Sequence, residues 1–445
     1  MERSTAGRHP LAAIRVPSRL SGGNARRIAA AALASGLALT ALAVSSAGAT
    51  AAGGTLNIAV VAPFTGPGAN FGVLLSAPCK AAVSVINASG GVRGNSLSCL
   101  SVNDFGDPAD AVPSVEKAFA TTSGIVSAVG LESNTAATVV PLVEKQNIPF
   151  FTANGLDSFD RQTNAFFYRM SPADDQNGAA YAVAAKQLGF SKVAVIYANN
   201  IGAEGNIPGT LAAVQKLKMK LTINLTIPGD ETSYASTVQR VISSKPQAII
   251  FYADPQTSGT FMQNYSQLTG GKLPPMITAG SNEVPDFLTA LKPVVSTTYL
   301  TKQIYYVGQS LDSKLPAYKT YAAAMTATGA PAALLGAGVI SALYDGINIM
   351  SLAMIESHST SGPVYNKAIV ALTQPHKGAV VVHNFAAGKA ALNALHKIQY
   401  VGTGGTIKFN SHHNFVGNFG IVQENAAGIP SQLSVIPGAK VLANA

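Results

Sequence analysis

The sequence predicts an α/β fold built from two Rossmann-like lobes with parallel central sheets. Three observations predict it. The β-rich runs are apolar throughout instead of alternating, helical patterns separate the early ones, and the alternation restarts once near Ser191. Strands apolar on both sides need cover on both faces, and parallel sheets flanked by helices supply it. A chain of 445 residues is also long enough for two such units.

The first fifty residues stand apart. Arg3, Arg8, Arg15, Arg19, Arg26 and Arg27 precede IAAAALASGLALTALAV, and SSAGATAA follows. A basic stretch, an apolar stretch and small-residue sites at Ala47–Ala49 or Ala49–Ala51 predict a cleaved signal peptide over about 1–49, and so export to the periplasm or cell envelope. The paired arginines leave general and twin-arginine export both open. No cysteine follows the apolar stretch, so no lipobox is seen. No later segment runs to eighteen uninterrupted apolar residues, which predicts a soluble mature chain.

Strands are expected in LNIAVVAP, LSCLSVND, GIVSAVG, IPFFTA, VAVIYA, AIIFYA and PMITAG. Helices are expected in SAPCKAAVSVINAS, ADAVPSVEKAFATT and NTAATVVPLVEKQN, with Pro78 delaying or kinking the first. The stretch RMSPADDQNG reads as a crossing into the second lobe. Cys79 and Cys99 are the only cysteines. An even pair in an oxidising compartment predicts a disulfide, with a stabilisation of roughly 3 kcal/mol.

Composition excludes several classes. Hydrophobic residues at 47% and charged ones at 11% argue against disorder. Losing the leader's six basic residues and Glu2 lowers the formal net charge from +9 to +4, and no Lys/Arg cluster or Trp remains to suggest nucleic acid. The loop GPGANFG spaces its glycines one residue too widely for a dinucleotide fingerprint. No acidic residue between Gly72 and Asn103 could hold a ribose. There is no G-x-S-x-G elbow and no HExxH, and His412-His413 reads as a solvated turn. The expectation is therefore no catalytic residue, no metal and no cofactor.

Several segments, in order, resemble one family. PFTGPGANFG, KAAVSVINASGGVRGNSL and NDFGDPADA are similar to the first lobe of periplasmic binding proteins of the branched-chain amino acid type, which serve ABC transporters. VGLESNTAATVVPLVEKQNIPFFTANG resembles the next strand–helix–strand unit, FFYRMSPADDQNG the first hinge crossing, and YVGTGGTIKFNSHHNF the C-terminal turn and strand. The resemblance runs from about Gly54 to Gln423. It implies the type I fold, with a three-segment hinge joining an N-terminal lobe (54–168 with 304–416) to a C-terminal lobe (169–303 with 417–445), and a ligand cleft between them.

The resemblance also implies site residues. Gly66 and Gly68 turn the first loop tightly, and Phe71 falls where the family places an aromatic over the ligand. Ser133, followed by Asn134, matches a carboxylate-binding serine; ahead of an apolar helix it also sits where unpaired N–H groups favour an anion. The next wall is Ala153, Asn154 and Leu156, with leucine where the family commonly has threonine. Asn200 and Ile201 stand where an aromatic is usual. Gly280 or Ser281 stands where an acid normally takes the ligand ammonium, leaving Glu283 or Asp254 to supply that charge. A branched-chain or related amino acid is one ligand this permits; a small carboxylate, amide or aromatic compound is another. The implied function is a monomeric receptor, not an enzyme, that captures a small molecule by hinge closure and delivers it to a membrane ABC permease. A sensory or regulatory binding protein of the same fold, or an exported hydrolase, would be the alternatives.

Overall fold

Strand formation follows the apolar runs. In the computed structural model, which describes residues 53–66, 68–415 and 417–445, the LNIAVVAP run becomes strand β1 (Thr55–Ala62), and Ile58 to Ala62 are fully buried. The expected signal peptide and Pro67 lie outside the described residues. Strands β2 (Ser96–Asn103), β3 (Ile125–Gly130), β4 (Phe150–Thr152) and β5 (Phe167–Arg169) join β1 in a parallel five-stranded sheet of order β2-β1-β3-β4-β5. Strands β6 (Lys192–Ala198), β7 (Lys220–Ile227), β8 (Ala248–Tyr252), β9 (Met276–Ala279) and β10 (Ile304–Gln309) form the core of a second sheet. After a small sheet of β11 (Val380–Val382), β12 (Ile398–Gly402) and β13 (Gly405–Thr406), strands β14 (Phe419–Glu424) and β15 (Pro430–Ile436) complete it in the order β15-β14-β10-β9-β8-β6-β7.

Strand β10 corrects one expected boundary. A start of the returning first-lobe segment at residue 304 would place it in the first sheet. It instead pairs with β9 in parallel and β14 in antiparallel, so the second sheet extends to Gln309. The chain crosses between the sheets three times, and the crossings are hydrogen-bonded to one another. Arg169 N–H donates to the His413 carbonyl at 3.0 Å, Phe415 N–H donates to the Arg169 carbonyl at 3.0 Å, and Ser310 N–H donates to the Asn418 carbonyl at 2.8 Å.

The histidine pair belongs to this crossing and is no solvated turn. The His413 ring stacks on Tyr168 with centroids 4.7 Å apart, and its Nδ1 lies 3.1 Å from the Phe167 carbonyl. His412 Nδ1 lies 2.9 Å from the Gln162 carbonyl. Burial holds the His413 imidazole below its usual range, so it docks as a neutral ring.

Two helices carry most of the first lobe's packing. Helix Ala69–Ala88 starts well before Pro78 and runs through it, so the proline does not delay the helix. It removes only the N–H that would have reached the carbonyl one turn back. Cys79, on this helix, is bridged to Cys99 on β2 with Cα atoms 6.1 Å apart, which ties the helix to the sheet's edge strand. Helix Gly338–Glu356 is apolar enough to cross a membrane by length and composition, yet its residues from Ile340 to Ile355 are buried in the protein. A helix enclosed on every side needs no polar face.

Candidate functional site

Both sheets point the C-terminal ends of their parallel strands at one cleft, the usual ligand position in open α/β sheets. The cleft holds a cavity of about 410 Å³, within the range of small-molecule sites. The segments after β1, β3 and β4 wall it on one side. Those after β6, β8, β9 and β10 wall it on the other, and the first crossing forms its floor.

The turn after β3 makes the most chemically distinctive wall. Leu131, fully buried, takes a left-handed conformation (φ 52°) and donates its N–H to the Val61 carbonyl at 2.9 Å. A leucine there costs about 1–2 kcal/mol. The strained turn sets Glu132, not Ser133, at the cap of helix Ser133–Glu144: Glu132 Oε2 accepts from Asn134 N–H at 2.9 Å. Glu132 is 5% exposed and its Oε1 has no protein partner. Burial pushes its carboxyl up to about 8; nearby Asp104 adds to the rise, and N–H groups of Asn134 and Thr135 oppose it. The N–H expected to await an anion is thus held by the protein's own carboxyl group.

Ser133 is the first helical residue, and its hydroxyl accepts from Gly155 N–H at 3.2 Å, joining the β3 wall to the β4 wall. Asn134 reaches the opposite side, where Gly202 N–H donates to its Oδ1 at 3.4 Å. Phe71 lines the cavity from the first turn of helix Ala69–Ala88. Of the two glycines expected to turn the preceding loop, Gly66 has φ +85°, whereas Gly68 sits at φ −87°, a backbone angle any residue adopts.

Asp174 opens helix Asp174–Gln187 at the floor and is 5% exposed. Its carboxyl is wedged between two glycines: a Cβ at Gly155 would stand 2.0 Å from Oδ1, and one at Gly205 2.7 Å from Oδ2. Oδ2 has no partner, and burial pushes the group up to about 8 against the pull of Arg169. Arg169 itself pairs with Asp160 at 2.5 Å. From the far wall come Tyr181 and Tyr252, the latter accepting from Ser281 Oγ at 3.1 Å. Burial pushes the Tyr252 phenol up to about 12, with Asp174 and Glu132 both adding to the rise.

The structure brings Phe71, Ser133, Asn134, Ala153, Asp254 and Ser281 to the cavity wall. Asp254 also caps helix Pro255–Thr269, its Oδ1 accepting from Thr257 N–H at 2.9 Å. Four expected residues are not on that wall. Asn154 is buried behind it, its carbonyl accepting from Ser171 Oγ at 2.7 Å. Leu156 turns away, its carbonyl accepting from Arg169 Nη1 at 3.1 Å. Ile201 is 51% exposed, since Asn200 caps the short helix Ile201–Glu204 and turns residue 201 to the surface. Glu283 is 1% exposed and faces Glu424 inside the second lobe, so it supplies no charge to the cleft.

Sequence reasoning missed Glu132, Asp174, Tyr181, Tyr252, Asn206 and Gln309 on the wall. Glu132 lies in the LESN stretch and Asp174 in PADDQNG, and their signal is positional: each is an acid at the start of a helix that follows a buried strand or a crossing.

Comparisons with known proteins agree with this geometry. A family model described as "Periplasmic binding protein" matches residues 55–428. The Leu/Ile/Val-binding protein homolog 3 of Brucella melitensis is 29% identical over 208 residues, which cover 46% of this chain and 55% of that protein. An amino acid binding protein of Pseudomonas aeruginosa is 26% identical over 206 residues, 44% of this chain and 52% of that protein. The chain thus spans about half the length of the curated relatives it matches. Among solved structures, a leucine binding protein from Thermotoga maritima superposes with a TM-score of 0.67 at 15% identity, covering 86% of this chain and 98% of that one. A solute binding protein from R. palustris in complex with benzoate gives 0.66 at 17% identity, covering 86% and 97%. These likenesses carry the two-lobed fold. With the family match running through both sheets and the cleft between them, the chain belongs to the periplasmic binding protein family.

Proposed function

We propose that the chain is an extracytoplasmic receptor that captures one small molecule between its lobes and delivers it to an ABC permease. The observation that carries this is the cavity of about 410 Å³, walled from both sheets at the C-terminal ends of their strands. The family match supports it, as do relatives named for amino acid binding and related folds solved with isoleucine or benzoate. In this reading residues 54–168 with 310–416, and 169–309 with 417–445, move as two bodies about the three crossings, and closure excludes water from the ligand. The closed shape is what a permease would recognise. The receptor acts as a monomer, performs no chemistry, and is placed outside the cytoplasm by residues 1–49 acting as an export signal.

A thermal-shift panel of amino acids, short carboxylates, amides, amines and aromatic acids tests the reading on the exported chain. A true ligand at a hundred times its dissociation constant adds about 2.7 kcal/mol of stability. Phe71→Ala should weaken that ligand about tenfold through lost aromatic contact. A ligand whose affinity ignores Phe71, Ser133 and Tyr252 substitutions alike would place binding elsewhere and contradict the proposal.

A further inference from the structure

The cleft's charge is one-sided. Among the described residues that line it, four are acids (Glu132, Asp174, Asp230 and Asp254), and none is Lys, Arg or His. Three helices open on the cleft with a carboxyl at their start. Glu132 caps Ser133–Glu144, Asp174 begins Asp174–Gln187, and Asp254 caps Pro255–Thr269. Helix N-termini are the natural seats for a ligand anion, and at these three the protein's own carboxyl is already there. A ligand carboxylate brought to Ser133 would find the Asn134 N–H already taken and would be repelled by Glu132 whenever that group ionises.

Two of these acids also have an oxygen with no hydrogen-bond partner. Glu132 Oε1 and Asp174 Oδ2 are buried on the cavity wall and lack any protein partner. A buried carboxylate without a counter-charge is costly, and a cation removes that cost. Phe71, Tyr181 and Tyr252 add aromatic faces that favour a cation further. The ends of helices Ala69–Ala88 and Gly338–Glu356, which have no side-chain cap, leave N–H groups for a neutral acceptor on the same ligand.

We propose, resting on the receptor reading above, that the cleft selects a small organic cation lacking a carboxylate, with its protonated nitrogen seated on Glu132 and supported by Asp174. The residue that sets this specificity is Glu132. Asp174 is secondary, because Arg169 partly compensates it while Asp157, Asp160 and Asp175 do not. The four-residue stretch LESN thus differs in kind from a carboxylate seat: its glutamate takes the helix end and keeps its other oxygen buried without a partner.

The test is a matched set on two skeletons: 3-methylbutylamine, leucine, 4-methylpentanoate and 4-methylpentanamide, with benzylamine, benzoate and benzamide. Binding to the full exported chain is read by calorimetry. The amines are expected to bind, and the two carboxylates and leucine to bind at least tenfold more weakly. Glu132→Gln keeps an oxygen to cap Asn134 N–H; it should weaken the amines roughly 30-fold or more, as loss of a buried charge partner does. Circular dichroism confirms that this variant is folded. A second readout stands on the wild-type chain alone. Glu132 is faced by Asp104, by N–H groups of Asn134 and Thr135, and by Tyr252, and it is largely protonated at pH 7. Seating an ammonium therefore expels close to one proton, seen as a binding enthalpy that changes with the buffer's ionisation enthalpy.

Carboxylates binding as well as the amines, amine affinity untouched by Glu132→Gln, or no amine binding on either skeleton would each overturn the inference. A carboxylate that binds and compacts the particle would do so while upholding the receptor reading. A bound amine that leaves the lobes unmoved would count against the receptor reading alone.

Discussion

Glu132 and Asp174 show what a residue can do that its type does not announce. In the sequence both look like ordinary helix-start acids, and only the fold shows that each is buried at the cleft wall with one oxygen lacking a partner. Phe71, Ser133 and Asn134 were legible, because a resemblance in motif places them and local helix patterning agrees. Ile201 and Glu283 were not: one position in a short helix, or one turn past a strand, reverses where a side chain points. The wedge around Asp174 carries a prediction at this scale. Gly155→Ala would place a methyl 2.0 Å from a carboxyl oxygen that has no room to retreat. Urea unfolding should show a loss of about 1–3 kcal/mol, as for other overpacked sites; an unchanged midpoint would mean that Asp174 is not held as described.

At the scale of elements, the runs apolar on both faces were readable and the edges were not. Strand β7 (KLTINLTI) is largely half-buried or exposed and so lacks the continuous apolar signal of β6 and β8. Edge strand β5 has three residues, too few for any period. Strand β10 was assigned to the wrong sheet because pairing partners follow from topology and not from a strand's own residues. That strand's Tyr306 meets an unusual buried pair, Glu283 and Glu424, both with oxygens lacking partners. Burial pushes Glu424 up to about 8, against the pull of Tyr306 and Lys292, and pushes Glu283 well above its usual range, where the charge of Glu424 adds to the rise.

Both groups hold protons in the folded state that the unfolded chain releases near its ordinary carboxylate range. Their contribution is therefore complete below about pH 4.5 and fades as pH rises, for Glu424 until about pH 8, by up to about 1.4 kcal/mol per pH unit for each group. Glu132 and Asp174 act in the same sense. The melting temperature is expected to fall between pH 5 and pH 8, and Glu283→Gln combined with Glu424→Gln to flatten that fall. A melting temperature that rises over this window would contradict the burial of these groups.

For the whole molecule, the two-lobed α/β architecture was legible because two sets of strand–helix alternation surround one recognisable crossing. The coupling of the three crossings was not. It depends on main-chain bonds between residues 169, 310 and 413–418, which are far apart in the chain and carry no shared sequence signal. Those bonds tie the segments about which the lobes would turn, and the cleft lies where turning alters its width. Small-angle scattering of the exported chain, with and without a saturating ligand, measures this directly. The account predicts a smaller radius of gyration when the ligand is bound; a ligand bound at the cleft that leaves the radius unchanged would contradict it.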